Sequence, residues 1–286
     1  MLVENPVDRR FPFLLFRICR KLAARRVRGS DRLYQLLRRA GVFRSFTYRV
    51  GGAPFSIPVS NSDYACIAAD VEGYESRLLE SMAAILESFQ DPVLIDCGAD
   101  IGSFSALLFC RSPKIREIVA IEPRPEVAPW LRRNMDALPV KTKVVMGAVS
   151  DFMGMGVMRH SQTDPSGHAC YLAPDAAGDI EVITVDSLRL DAAYVVLKID
   201  VEGGELEALK GARGLLTGAR QFAVSVEAHR EVAARTGIDP IEYLRFIDSI
   251  RKCEFRIAET GAGVDLGRSF LAQCPLTVSN VVAWTA

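Results

Sequence analysis

The chain has 286 residues with 35 basic and 35 acidic side chains, about half of it is apolar, and Gly and Pro stay near globular usage. That composition excludes a disordered chain, a collagen-like fibre and a low-complexity scaffold, and the length suits one large domain with an extension, or at most two domains. Seven scattered cysteines without Cys-x-x-Cys spacing read as mostly buried free thiols of a reducing, cytoplasmic compartment, not as a disulfide framework or zinc ribbon.

The zero net charge is a cancellation. Residues 1–49 carry thirteen basic side chains against Glu4, Asp8 and Asp31, a balance of +10, so the remainder of the chain stands at −10. Phe13, Leu14, Phe16, Ile18 and Leu22 interleave with Arg17, Arg20, Lys21, Arg25 and Arg26, which predicts a basic amphipathic helix. Gly29 ends it, and Ser30 or Asp31 caps a second helix through Leu33–Leu37. The run Phe11–Phe16 is too short to span a bilayer, and with Arg17 behind it and no small-residue cleavage site it is a poor signal peptide. Two readings stand for residues 9–28: docking helices with solvated arginines, or peripheral contact with an anionic membrane surface. Residues 1–59 are therefore expected to form a basic, mainly helical extension, and 60–286 the main domain.

From Pro92 onward the pattern alternates. Strands are predicted at Val93–Cys97, Ile118–Ile121, Val144–Val149, Val195–Ile199, Phe222–Val226, Phe255–Ala258 and Asn280–Trp284. Helices are predicted at Ser103–Cys110, after Pro125, at Glu205–Leu216 and from Pro240 to about Lys252. Apolar strands alternating with amphipathic helices imply an α/β fold, a largely parallel sheet covered on both faces. Ligands of such sheets sit outside the carboxyl ends of the strands. Those ends read Asp96-Cys97-Gly98, Glu122-Pro123, Gly147-Ala148, Asp200, and Glu227 with His229.

The first turn, Asp96-Cys97-Gly98-Ala99-Asp100-Ile101-Gly102, is neither a Gly-x-Gly-x-x-Gly dinucleotide loop nor a phosphate loop. Its acids would repel a diphosphate and favour an ammonium or sulfonium group with hydroxyls. Glu122, twenty residues past Gly102, can accept from both hydroxyls of a ribose. S-adenosylmethionine meets these requirements.

The chain resembles the FkbM family of S-adenosylmethionine-dependent methyltransferases. The resemblance rests on Leu94 through Gly102, Ile121-Glu122-Pro123, Gly147 through Asp151, Thr184-Val185-Asp186-Ser187-Leu188, and above all Leu197-Lys198-Ile199-Asp200-Val201-Glu202-Gly203-Gly204-Glu205. Leu209-Lys210-Gly211-Ala212, Val226-Glu227-Ala228-His229 and Gly73-Tyr74-Glu75 complete it, over roughly residues 60–286. It implies a class I methyltransferase (Rossmann-like) fold, a seven-stranded, mostly parallel sheet whose last strand is antiparallel. It also implies methyl transfer to a hydroxyl of a sugar, glycan or natural-product intermediate. Asp96, Gly98, Ala99, Asp100, Gly102, Glu122, Pro123 and Ala148 would hold the cofactor, with Glu75 near its methionine end. Asp100 stands where the family usually has Asn, which would add a charge near that end.

A sugar hydroxyl is a weak acid, so its methylation calls for a base. His229 is expected to serve, with Asp200 and Glu227 orienting it or the substrate. A site without metal is the primary expectation; the alternative is Mg²⁺ held by Asp200, Glu227 and His229. His160 and His168 fall in Ser150–Gly178, expected to be a mobile loop or hairpin beside the acceptor pocket. A nucleic-acid reading is disfavoured, because base-reading motifs and the Asn/Asp-Pro-Pro-Tyr/Phe signature of amino-group methylation are missing from the sequence. A methyltransferase acting through its basic arm on RNA or on a lipid-linked substrate is the alternative function. The sequence leaves the oligomeric state open, homodimer included.

Overall fold

A computed structural model describes residues 3–6, 10–25, 27–59, 62–160 and 170–285. The chain opens with a short strand β1 (Val3–Glu4), followed by helices α1 (Arg10–Ala24) and α2 (Ser30–Arg39), placed where the apolar and basic spacing predicts them. Between the helices Gly29 takes the left-handed conformation at φ 86°. A hairpin follows, β2 (Ser45–Val50) and β3 (Ala53–Pro58), completing an antiparallel sheet in the order β1-β2-β3. This sheet adds to the expected helices. Its signal lies in the alternation of Phe46, Tyr48 and Val50 ahead of Gly51-Gly52, whose φ values of 57° and 86° make the two-residue turn that a tight hairpin requires.

The N-terminal segment shares its core with the rest of the chain. Phe13, Phe16, Phe43 and Phe46 belong to one buried cluster with Leu94, Leu107 and Ile118. Helices α3 (Ser62–Ala69) and α4 (Ser76–Leu86) lead into the main sheet. Its elements run β4 (Val93–Cys97), α5 (Ser103–Arg111), β5 (Glu117–Glu122), α6 (Ala128–Asp136) and β6 (Lys141–Met146). Asn134 of α6 fastens β3 to this domain: its Oδ1 accepts from Ser56 N at 2.8 Å, and its Nδ2 donates to Ser56 O and Ile101 O at 3.0 and 2.8 Å.

The strand expected at Val144–Val149 is divided at Gly147. The main sheet keeps β6, while β7 (Ala148–Val149) enters a second sheet with β8 (Gly154–His160), β9 (Cys170–Pro174) and β10 (Ile180–Ile183), ordered β7-β10-β8-β9. The segment after Ser150 thus contains the antiparallel hairpin β8–β9. His168 lies outside the described residues.

The main sheet resumes with β11 (Tyr194–Ile199), α7 (Glu205–Lys210), α8 (Arg213–Gly218), β12 (Gln221–His229), α9 (Arg230–Thr236), α10 (Ile241–Ile250), β13 (Glu254–Ile257), α11 (Phe270–Gln273) and β14 (Val278–Trp284). The single helix expected at Glu205–Leu216 is divided at Gly211-Ala212, where the Gly211 carbonyl accepts from Asp186 N at 2.9 Å and the Ser150 carbonyl comes so close to Gly211 that a Cβ there would collide with it. Asp186 then caps the new start, accepting from Gly214 N and Leu215 N, both at 2.8 Å. The completed sheet reads β13-β14-β12-β11-β4-β5-β6. Strand β14 runs antiparallel to both neighbours, and β12, β11, β4, β5 and β6 pair in parallel. This is the class I methyltransferase arrangement. Alternate residues of β4 and β11 enter different cores, Leu94 and Val196 on one face and Val93, Ile95, Val195 and Leu197 on the other. Both faces are therefore covered, which explains why these strands read as unbroken apolar runs.

Candidate active site

The carboxyl ends of β4, β5 and β11 open into a cavity of about 680 Å³, roofed by the hairpin β8–β9. That volume falls in the roughly 300–1,000 Å³ range of small-molecule sites. Gly98 forms its floor at φ 82°, where a Cβ would run into the carbonyl oxygen of Asp200. Only glycine fits there, since both the dihedral and the close approach exclude a side chain. Gly98 N and Ala99 N both donate to Ile121 O at 3.0 Å, which ties the turn to the end of β5.

Six of the nine residues expected at the cofactor line this cavity: Gly98, Ala99, Asp100, Glu122, Pro123 and Ala148. Glu122 is almost wholly buried. Its Oε2 accepts from Asp100 N at 2.9 Å, and its Oε1 accepts from Arg124 N and Nε at 3.0 and 2.9 Å. Burial raises the Glu122 carboxyl, against the opposing pull of Arg124. Arg124 also reaches Asp100 Oδ1 at 2.7 Å, and Tyr64 donates to the same oxygen at 2.6 Å. The extra charge of Asp100 is therefore answered by a guanidinium on the Glu122 side. Arg124 escaped the sequence reading, although its position two residues beyond the strand-end acid was a signal.

Glu75, Asp96 and Gly102 stand behind the cavity wall. Gly102 is the left-handed residue that opens α5. Asp96 is fully buried: Oδ2 accepts from Ser105 Oγ at 2.6 Å, whereas Oδ1 has no hydrogen-bond partner among the described residues, and neither has Glu75 Oε2. Both carboxylates surround Lys198, whose Nζ donates to Asp200 Oδ2 at 2.8 Å. Burial alone would lower this ammonium, but Asp200, Glu75 and Asp96 together hold it well above its ordinary value. Burial pushes Glu75 up to about 7, with Lys198 opposing and Asp200 and Asp96 reinforcing. One ammonium faces three carboxylates, so the group carries unmet acceptor capacity. A cationic ligand suits such a place.

Asp200, Glu202 and Glu227 bring carboxylate oxygens within 4.8 Å of one another, so Glu202 takes the place expected for His229 in this group. Burial, then the charges of Asp200 and Glu202, raise Glu227 far above the usual carboxylate range. His229 does something else: its Nδ1 accepts from Glu231 N and Val232 N, at 3.1 and 3.4 Å, and so caps α9. Neither His229 nor Glu227 is among the cavity-lining residues; Glu227 is tied to the cavity through its closeness to Asp200 and Glu202, which are. Glu205 turns back on its own loop and accepts from Gly203 N at 2.9 Å. On the far wall Arg235 packs over the ring of Tyr171 at 4.8 Å and donates to Glu202 O.

A cavity of this make-up at the carboxyl edge of a seven-stranded sheet with a reversed last strand defines a class I methyltransferase domain. The chain belongs to the FkbM methyltransferase domain family, whose model matches residues 96–257. A curated relative, hexuronic acid methyltransferase AglP of Haloferax volcanii, is 25% identical over 169 residues, covering 58% of this chain and 65% of that protein. The chain thus spans just under two thirds of that relative's length. Among solved structures, methyltransferase FkbM from Methylobacillus flagellatus KT is similar at 20% identity and TM-score 0.47, over 78% of this chain and 52% of the other. TYW2 of M. jannaschii in complex with AdoMet matches at 17% identity and TM-score 0.42, over 85% of each chain.

Proposed function

We propose that this protein is an S-adenosylmethionine-dependent O-methyltransferase whose acceptor is a hydroxyl of a sugar or glycan. The observation that carries the reading is the division of one cavity into two chemistries. At one end Gly98, Asp100 and Glu122 form a glycine floor and hydrogen-bonding acids. At the other, Asp200 and Glu202 line the cavity with Arg235 and Tyr171, and a carboxylate oxygen of Glu227 lies within 4.8 Å of those two acids. The excess of carboxylates around Lys198, of which Asp200 lines the cavity while Asp96 and Glu75 act from behind it, fits a cationic cofactor, with Glu122 receiving its ribose. When bound, the cofactor supplies an activated methyl group on a sulfonium, whose departure needs no acid.

The chain's own task is to align the acceptor and take its proton. Asp200, held by Lys198, orients the hydroxyl. Glu227, whose proton affinity is raised by burial and then by its acidic neighbours, accepts the proton in its ionised form as the methyl–oxygen bond forms, so turnover is expected to rise with pH. His229 serves as a helix cap in this reading. Arg235 and Tyr171 match an acidic sugar, a cation for its carboxylate and a ring for its apolar face; the Haloferax relative is named as a hexuronic acid methyltransferase, and hexuronic acids are of that class.

Purified protein, labelled S-adenosylmethionine and a panel of neutral and uronic acid-containing glycans test this. Label transfer to a hydroxyl, stronger for the acidic acceptors, is expected. Failure to bind S-adenosylmethionine in calorimetry would sink the proposal.

A further inference from the structure

Helices α1 and α2 bury one face and leave an apolar one in solvent. Phe16 and Tyr34 both pack against Phe43, with ring centroids 5.8 and 5.9 Å away, so the buried faces of the two helices converge on the same place. On α1 the opposite stripe contains Phe11, Leu14 and Ile18, 74%, 58% and 45% exposed. On α2 it contains Leu33 and Leu36, 45% and 65% exposed, and Val27 in the connection is 45% exposed. Soluble surfaces seldom show so many large apolar side chains at helical spacing.

The same stripe then becomes basic. Lys21 and Arg25 continue the Leu14–Ile18 row at i+7 and i+11, while Arg17, Arg28, Arg32 and Arg39 are exposed beside it. Between residues 10 and 49 Asp31 is the lone acid in the sequence. No helix among the described residues is long and apolar enough to cross a membrane. We infer that α1 and α2 form an interfacial docking surface for an anionic phospholipid bilayer, independent of the identity of the methyl acceptor. Phe11, Leu14, Leu33 and Leu36 enter the acyl boundary while Lys21, Arg25 and the flanking arginines meet lipid phosphates, the division that in-plane amphipathic helices use. A nucleic-acid backbone would satisfy the arginines and leave the apolar stripe wet. A second copy of this chain would cover the stripe and bring two +10 segments together, which repel.

The test is co-sedimentation of the full chain with vesicles of phosphatidylcholine alone or mixed equally with phosphatidylglycerol. Binding to the anionic vesicles is expected to exceed binding to neutral ones at least tenfold and to weaken at 0.5 M salt. Leu14→Asp with Leu36→Asp should abolish most of it, and Arg17→Glu with Lys21→Glu should do so by reversing charge with the apolar stripe left intact. These side chains are exposed, so the melting temperature serves as the control for folding. Equal sedimentation with both vesicle types, or binding unchanged in both double variants, would overturn the inference. So would a dimer in light scattering that Leu14→Asp with Leu36→Asp dissolves, without vesicle binding by the parent protein.

Discussion

At Glu122 three N–H groups converge on one buried carboxylate, and this residue is the sharpest test of the cofactor end. Hydrogen bonds to charged groups contribute about 1.5–3 kcal/mol each. Glu122→Gln is therefore expected to weaken S-adenosylmethionine binding by about 10- to 100-fold in calorimetry; an unchanged constant would remove the ribose assignment. The acceptor end separates two carboxyl-edge residues that sequence spacing had placed together. Glu227 and His229 are two apart on β12, but the strand ends at His229 and its ring turns to the first N–H groups of α9. Glu227→Gln is expected to lower kcat by about 10²- to 10⁴-fold, the usual worth of a positioned base, while leaving cofactor affinity in place. His229→Ala should keep turnover within about twofold and cost about 1 kcal/mol in urea unfolding, as lost caps do. Reversal of these two outcomes would return the base to His229.

Among the elements, the parallel strands were legible because burial on both faces writes itself as continuous Val, Ile and Leu, and β4 lies where its apolar run does. What escaped was set by contacts distant in sequence. Nothing in Glu205–Leu216 announces that Ser150 will press on Gly211, or that Asp186 will start a new helix. Likewise Arg235 reaches the cavity only because α9 follows β12 and sets its guanidinium against the Glu202 carbonyl, and Tyr171 sits in a hairpin with no periodic apolar run of its own. The N-terminal hairpin was legible at Gly51-Gly52, yet its attachment depends on Asn134, a polar residue that the sequence shows only as one position in a helix. Asn134→Ala leaves Ser56 N–H and two carbonyls without their partners. A loss of about 2–4 kcal/mol in urea unfolding is expected, because a buried unsatisfied donor carries its whole desolvation penalty. A loss under about 0.5 kcal/mol would mean that β3 is fastened by its apolar contacts alone. Removing residues 1–59 would strip Phe16, Phe43 and Phe46 from a shared core, so the docking surface is better probed by single exposed side chains than by truncation.

Across the whole molecule the excess acid of the body is not spread evenly over its surface. Burial raises Glu75, Asp96, Glu122, Glu205 and Glu227 together, because the sheet edge collects carboxylates where water is excluded. Each binds its proton more tightly folded than unfolded, so each contributes stability at low pH that disappears as pH rises through its folded value. For Glu75 the window runs from its ordinary 4.5 to about 7. The protein without ligand should therefore be less stable at pH 8 than at pH 5.5, the reverse of a fold held by exposed ion pairs. Glu75→Gln, which keeps the shape and removes the titration, should flatten that slope. Measured by urea unfolding at both pH values, its gain over the parent protein should grow by on the order of 2 kcal/mol toward pH 8, since one pKa unit corresponds to about 1.4 kcal/mol. Parallel slopes for the two proteins would show that Lys198 already neutralises Glu75, and would move the origin of the unmet negative charge to Asp96 and the Asp200–Glu227 group. A cationic ligand entering the cavity should act in the same direction as the substitution, so S-adenosylmethionine is expected to raise the melting temperature more at pH 8 than at pH 5.5.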